Sequence, residues 1–113
     1  VKISDEVMAI CAINATLRTE GVAELAGGMS DAIAQSILGK ESLSKGVKVS
    51  QNDDGIIFDV YVIVEYGVKI PTVAWDIQSN VKKEVETMTE REVLGVNIHV
   101  QGVEEESEEN EKI

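Results

Sequence analysis

Residues 56–78, IIFDVYVIVEYGVKIPTVAWDIQ, constrain the fold of this chain more than any other stretch. Side chains of a strand alternate between its two faces, so a strand from Ile56 to Tyr66 carries Ile56, Phe58, Val60, Val62, Val64 and Tyr66 on one side. That side is wholly apolar and has to be covered. The other side carries Ile57, Asp59, Tyr61, Ile63 and Glu65, a mixture richer in apolar groups than a freely solvated face requires. Gly67 ends the strand, and Pro71 can open a helix because its missing N–H would be unpaired in the first turn anyway. Val73, Ala74, Ile77, Val81, Val85 and Met88 then recur at spacings of three and four, which is one helical stripe. A strand, an exit and a striped helix make half of a layered domain, and the remaining chain must supply the other half.

Upstream, Ser4 occupies an N-cap position, with Asp5 and Glu6 placed in the first turn against the positive end of the helix dipole. Val7, Ile10, Cys11, Asn14 and Leu17 follow at helical spacing, with Met8 and Ile13 widening the stripe, and this first helix ends before Gly21. Val1–Ile3 reads as a short strand. Residues 21–46 are poorly periodic and read as a loop, with Ser30 and Asp31 capping a short helix that runs to Leu38. Val47–Gln51 is a strand and Asn52-Asp53-Asp54-Gly55 is a tight turn. The register this implies places Val49 opposite Phe58, Val47 opposite Val60 and Lys48 opposite Asp59, so faces and charges both match. The pairing exhausts the first strand near Val60, and Gly95–Val103 is the candidate neighbour for the rest of the long strand. A strand, helix, strand connection makes those two strands parallel.

The expected class is α+β: a two-layer sandwich with a small mixed sheet of three to four strands and helices on one face, in the order (β)-α-β-β-α-β. One domain covers residues 1–103. Residues 104–113 carry six acids and one lysine and read as a disordered tail. The formal net charge of −11 over 113 residues argues against nucleic acid, whose phosphates require Lys and Arg, and against direct docking on anionic lipid. No apolar run approaches the roughly 20 residues that span a bilayer, and the N-terminus does not read as a signal peptide. A single cysteine, Cys11, fits a reducing compartment. The expected location is therefore cytoplasmic, with any membrane contact made through a second protein.

Motifs for chemistry are thin. Ser50, Asn52, Asp54 and Gly55 match early places of a calcium loop, but its last place, which needs a bidentate Glu, is Tyr61 inside a strand. A hairpin turn is the better reading. Gly39-Lys40-Glu41-Ser42 resembles the end of a phosphate loop, but Ala34 stands where the first Gly belongs. His99, the only histidine, falls on the polar side of the last strand near Glu65 or Asp59, with no nucleophile to serve. No catalytic residue, metal ligand or cofactor is expected. Trp75 flanks the stripe of the second helix, either as core packing or as a partner anchor. Tyr61, Ile63 and Glu65 together with Asn97, His99 and Gln101 form the second sheet face. Both readings of it stay open: ordinary strand residues, or a surface for self-association or for a partner.

Val60–Gln78, with Tyr66-Gly67-Val68 and Ile70-Pro71, resembles the signature of the alkaline shock protein family of Gram-positive bacteria. ISDEVMAICAINA at Ile3–Ala15, Lys45–Val49 and Gly95–Val100 agree with it in order. One departure is Glu90, which follows Met88-Thr89 where that family usually places Gly. The resemblance implies a small cytosolic, non-enzymatic protein linked to cell-envelope stress, and some members are held near the membrane by a separate anchor. The resulting expectation is an interaction or scaffold protein whose partners are its own copies or a membrane-anchored protein. The alternative is an accessory domain that binds a metabolite or lipid beneath residues 21–46.

Overall fold

A computed structural model describes residues 1–27 and 42–105. Its elements, in chain order, are α1 (Asp5–Leu17), β1 (Val22–Leu25), β2 (Ser42–Ser44), β3 (Val47–Asn52), β4 (Gly55–Glu65), α2 (Ile70–Thr89) and β5 (Val93–Glu104). They form the expected two-layer α+β domain, with a mixed sheet and both helices on one face. Two short strands, β1 and β2, enlarge the sheet to five strands. Val1–Ile3 lies outside any strand. The helix read from Ser30 and the tail beyond Glu105 fall outside the described residues.

β4 is the axis. Its apolar side, Ile56, Phe58, Val60, Val62 and Val64, is buried completely or nearly so, under Val73, Ile77, Val81 and Val85 of α2 and Met8 of α1. The β3–β4 hairpin has the register derived above, Val47 with Val60, Lys48 with Asp59 and Val49 with Phe58. Its turn is held by the Asn52 side chain, whose Oδ1 accepts from the backbone N–H of Asp54 at 2.8 Å and of Gly55 at 3.1 Å. The oxygen that a calcium loop would turn toward a cation is thus committed to the turn. β5 runs parallel to β4 along its whole length, from Ile56–Val93 to Glu65–Glu104.

The remainder of β4 on the β3 side is completed by an element not foreseen. Beyond Val60 that edge pairs antiparallel with β1, Val22 with Val64 and Leu25 with Val62. Where β3 and β1 meet, the Tyr61 N–H donates to the Gly46 carbonyl and the Ala26 N–H donates to the Tyr61 carbonyl, each at 2.8 Å. Gly46 has φ +91°, and a Cβ there would stand 3.0 Å from Ala26 O and 3.2 Å from Tyr61 O. Only glycine fits that junction without strain.

α1 buries a different face from the one its large residues suggest. The side toward the core is Met8, Ala9, Cys11, Ala12, Ala15 and Thr16, whereas Val7, Ile10 and Leu17 are about half exposed. Small residues let α1 approach its neighbours closely, and close packing outweighs the hydrophobicity of any single side chain. Buried hydroxyls on this side are satisfied: Thr16 Oγ1 donates to Ala12 O, Thr19 Oγ1 donates to Ala15 O, and Asn80 of α2 donates to Thr19 Oγ1. Arg18 and Glu84 form an ion pair across the same two helices. Ser4 caps α1 as expected, its hydroxyl accepting from the Val7 N–H at 3.2 Å.

α2 begins at Ile70 with Pro71 in its first turn and buries Val73, Ile77, Val81 and Val85. Met88, counted in the same stripe, is exposed on its far side and touches Cys11 Sγ at 3.9 Å. The helix ends at Glu90, which adopts a left-handed conformation, φ 60° and ψ 22°. The geometry that usually falls to Gly is therefore kept by a residue with a Cβ.

Candidate functional site: the open face of the sheet

Both helices pack on one side of β4, so its other side, Ile57, Asp59, Tyr61, Ile63 and Glu65, has no covering layer among the described residues. Ile57, Asp59, Tyr61 and Ile63 are half-buried by their strand neighbours, and Glu65 is exposed. The parallel register brings β5 alongside, Asn97 beside Asp59 and His99 beside Tyr61. The imidazole of His99 stacks on the Tyr61 ring at 4.4 Å between centroids and 13° between planes. Its Nε2 lies 2.8 Å from Asp59 Oδ1, which also accepts from Asn97 Nδ2 at 3.3 Å. One carboxylate therefore fixes the tilt of the histidine and the amide beside it, and the stacked pair forms a flat aromatic plate on the face.

Of the residues expected to form this face, Tyr61, Asn97 and His99 meet in one cluster, joined by Asp59. Ile63 lies one step along β4. Gln101 does not sit beside it: the β4–β5 register shifts between Val62 and Ile63, and Ile63 is opposite Gly102 instead. Gln101 is the extra residue of a β-bulge, exposed at the sheet's rim. A Cβ on Gly102 would lie 3.9 Å from Ile63 Cγ1, so glycine leaves the isoleucine uncovered on that side. Glu65 faces Glu104 across the β4–β5 pair, and Glu24 of β1 faces Ile63 from the other edge. Three carboxylates thus rim one end of the face. Trp75 is on the opposite layer, on the outer surface of α2, and 67 % exposed. It contributes neither to the core nor to the sheet face.

Of the two carboxylates expected near His99 it is Asp59 that pairs with it, and Glu24 is the member that sequence reasoning passed over. Asp59 carries a signal, since period two puts it between Ile57 and Tyr61 and parallel pairing puts it beside His99. Glu24 carries none, because β1 is four residues long and its register is broken by a bulge. The described residues hold no group of three or more His, Cys, Asp or Glu side chains able to share a metal ion. Nor do they hold a helix long and apolar enough to cross a membrane.

Similarity to known proteins covers nearly all of this architecture. The zinc form of a MamM CTD variant matches with a TM-score of 0.53 over 88 % of this chain and 87 % of its own, at 13 % identity, a likeness of fold alone. YqhY of Bacillus subtilis (strain 168) is 39 % identical over 103 residues, 91 % of this chain and 76 % of that protein. A stress response regulator gls24 homolog of Streptococcus pyogenes serotype M3 (strain MGAS315) is 30 % identical over 81 residues, 72 % of this chain and 45 % of that protein. The family model that matches spans residues 1–105, which include every element from α1 to β5. The chain belongs to the alkaline shock protein 23 family, a family of cell envelope-related function.

Proposed function

We propose that the protein is a non-enzymatic interaction module of the cell envelope, and that the open sheet face holds a membrane-anchored partner. The observation that carries this reading is a sheet face with no covering layer among the described residues, on which Tyr61, His99 and Ile63 stand partly exposed in a fixed arrangement. Apolar and aromatic groups held rigidly at a surface lose little entropy when a partner covers them. The rim adds chemistry: Glu24, Glu65 and Glu104 suit a basic segment, and cytoplasmic segments next to a membrane span carry an excess of Lys and Arg. Self-association through this face is less favourable, because a second copy would bring its own carboxylates to the same rim.

Ile63→Lys tests the reading. The side chain lies off the core, so thermal unfolding should change by no more than about 1 kcal/mol. Crosslinking and pull-down of the tagged protein from its own cells, in mild detergent, should recover a membrane protein with the wild type and lose it with the variant. Equal recovery with Ile63→Lys removes the face from the proposal. Recovery of a soluble enzyme alone would favour the accessory-domain alternative.

A further inference from the structure

β5 is an edge strand, and its free edge is guarded along only half its length. α2 passes beside its first half and sends three side chains, spaced four residues apart, onto backbone groups that point away from β4. Gln78 Nε2 donates to the Val96 carbonyl at 2.9 Å, Lys82 Nζ donates to the Val93 carbonyl at 3.3 Å, and Glu86 Oε2 accepts from the Val93 N–H at 2.9 Å. Backbone groups alternate direction along a strand, so the next ones to point outward after Val96 belong to Ile98 and Val100. Among the described residues nothing caps them. Burial falls in step: Val93 is 4 % exposed, Val96 8 %, Ile98 and Val100 are half-buried, and Val103 is 46 % exposed.

An open edge of this kind is normally blunted by charge, proline or a bulge, and the bulge at Gln101 lies just past the open stretch at Ile98 and Val100. Here Val93–Val103, VLGVNIHVQGV, contains neither Asp, Glu, Lys, Arg nor Pro, in a chain that is 27 % charged. We propose that this edge pairs antiparallel with the same edge of a second copy, joining two five-stranded sheets. The occupant follows from symmetry and charge. Placed against its own antiparallel copy with the two-fold axis at His99, the strand sets Ile98 of each molecule opposite Val100 of the other. Each such pair exchanges two N–H···O=C bonds, with apolar side chains on the helix side in both copies. A chain of net charge −11 repels its copies over most of its surface, and this uncharged strand offers them a line of approach. The guard residues of α2 bound the contact, since Gln78 already occupies the edge at Val96. The contact is thus short and the dimer weak, of the transient class of interface. It is distinct from the open face, and joining the edges would set two such faces side by side.

Val100→Pro tests the proposal on the whole chain. Proline removes an N–H that points away from β4, so no bond of the β4–β5 ladder is lost. Sedimentation equilibrium up to about 1 mM, the range of weak interfaces, should show wild-type dimers and at least about tenfold weaker association of Val100→Pro, which loses two interchain hydrogen bonds per dimer. Ile63→Lys should dimerise as the wild type does, which separates this edge from the partner face. Hydrogen exchange of the wild type gives a readout that does not depend on the variant folding: the amides of Ile98 and Val100 should exchange more slowly at high protein concentration than at low. A wild type that stays monomeric over the range overturns the proposal. So do equal exchange rates at the two concentrations, or undiminished dimerisation of a folded Val100→Pro.

Discussion

Replacing Glu90 with glycine should stabilise this protein. Glu90 is the non-glycine residue that ends α2 in the left-handed region, at φ 60° and ψ 22°, with its N–H donating to Glu86 O at 3.0 Å. A residue with a Cβ gives up roughly 1–2 kcal/mol to hold that conformation, because Cβ crowds the following carbonyl. Glycine releases the strain but adds freedom to the unfolded chain, which offsets roughly 0.4–1 kcal/mol. A carboxylate at the negative end of a helix dipole is a further unfavourable term of about 0.3 kcal/mol at an exposed site, and the last turn of α2 has no basic residue to answer it. The net expectation for Glu90→Gly is a gain of about 1 kcal/mol, a rise of several degrees in melting temperature for a domain of this size. Glu90→Ala is the control, since it removes the charge and keeps Cβ. Urea unfolding of the three proteins at neutral pH, compared through midpoints at constant slope, gives the answer. If Glu90→Gly is no more stable than Glu90→Ala, the backbone argument is wrong and the left-handed cap carries no strain.

Gly46→Ala should cost about 2 kcal/mol or more, because the new methyl group meets the Ala26 and Tyr61 carbonyl oxygens in a left-handed backbone; a midpoint shift below the noise of chemical unfolding would show that the β1–β3 junction yields. Glu86 is held below its ordinary value of 4.5, first by the Val93 N–H and then by Lys82. Its charged form therefore favours the native state above pH 4.5, and that contribution disappears as pH falls through the lowered folded value. Glu86→Gln, which can still accept from Val93, should be less stable than wild type at neutral pH, with the gap closing in acid; a gap independent of pH would refute the assignment. The Cys11 thiol is pushed above its usual value by burial, with Glu84 adding to the effect. It should resist a disulfide reagent at pH 8 in the native protein and react on unfolding, and rapid native labelling would contradict its placement.

The hairpin and α2 are readable from sequence because each is specified twice. Asn52–Gly55 supplies turn chemistry while Val47, Val49, Phe58 and Val60 supply alternation, and the two agree on a single register. Pro71 marks the start of α2 and its stripe marks the face. β1 and β2 carry no such redundancy: VAEL and SLS are too short for alternation to be told from chance, and they are strands because β4 and β3 offer open edges. α1 is found by its cap but turned the wrong way, since Ala9, Ala12 and Ala15 fit a close helix contact that Val7 and Ile10 would obstruct. On the open face, Tyr61, Asn97 and His99 follow from pairing alone. Gln101 does not, because a one-residue bulge is invisible to any rule of period two. The row Gln78, Lys82, Glu86 is visible in sequence as an i, i+4, i+8 polar line, yet its targets become apparent only when β5 lies beneath it.

The parallel pairing of β4 and β5 also dictates an order of events at the ribosome. β3 and β4 are joined by a tight turn and can zip as soon as both have emerged. The other edge of β4 must wait through all of α2, the 27 residues of chain between Glu65 and Val93, before its partner exists. Non-local pairings of this kind are slow to form and leave sticky intermediates exposed meanwhile. During synthesis the long apolar strand is therefore half-dressed until its last neighbour leaves the exit tunnel, and this is the interval in which a nascent chain would most benefit from a chaperone.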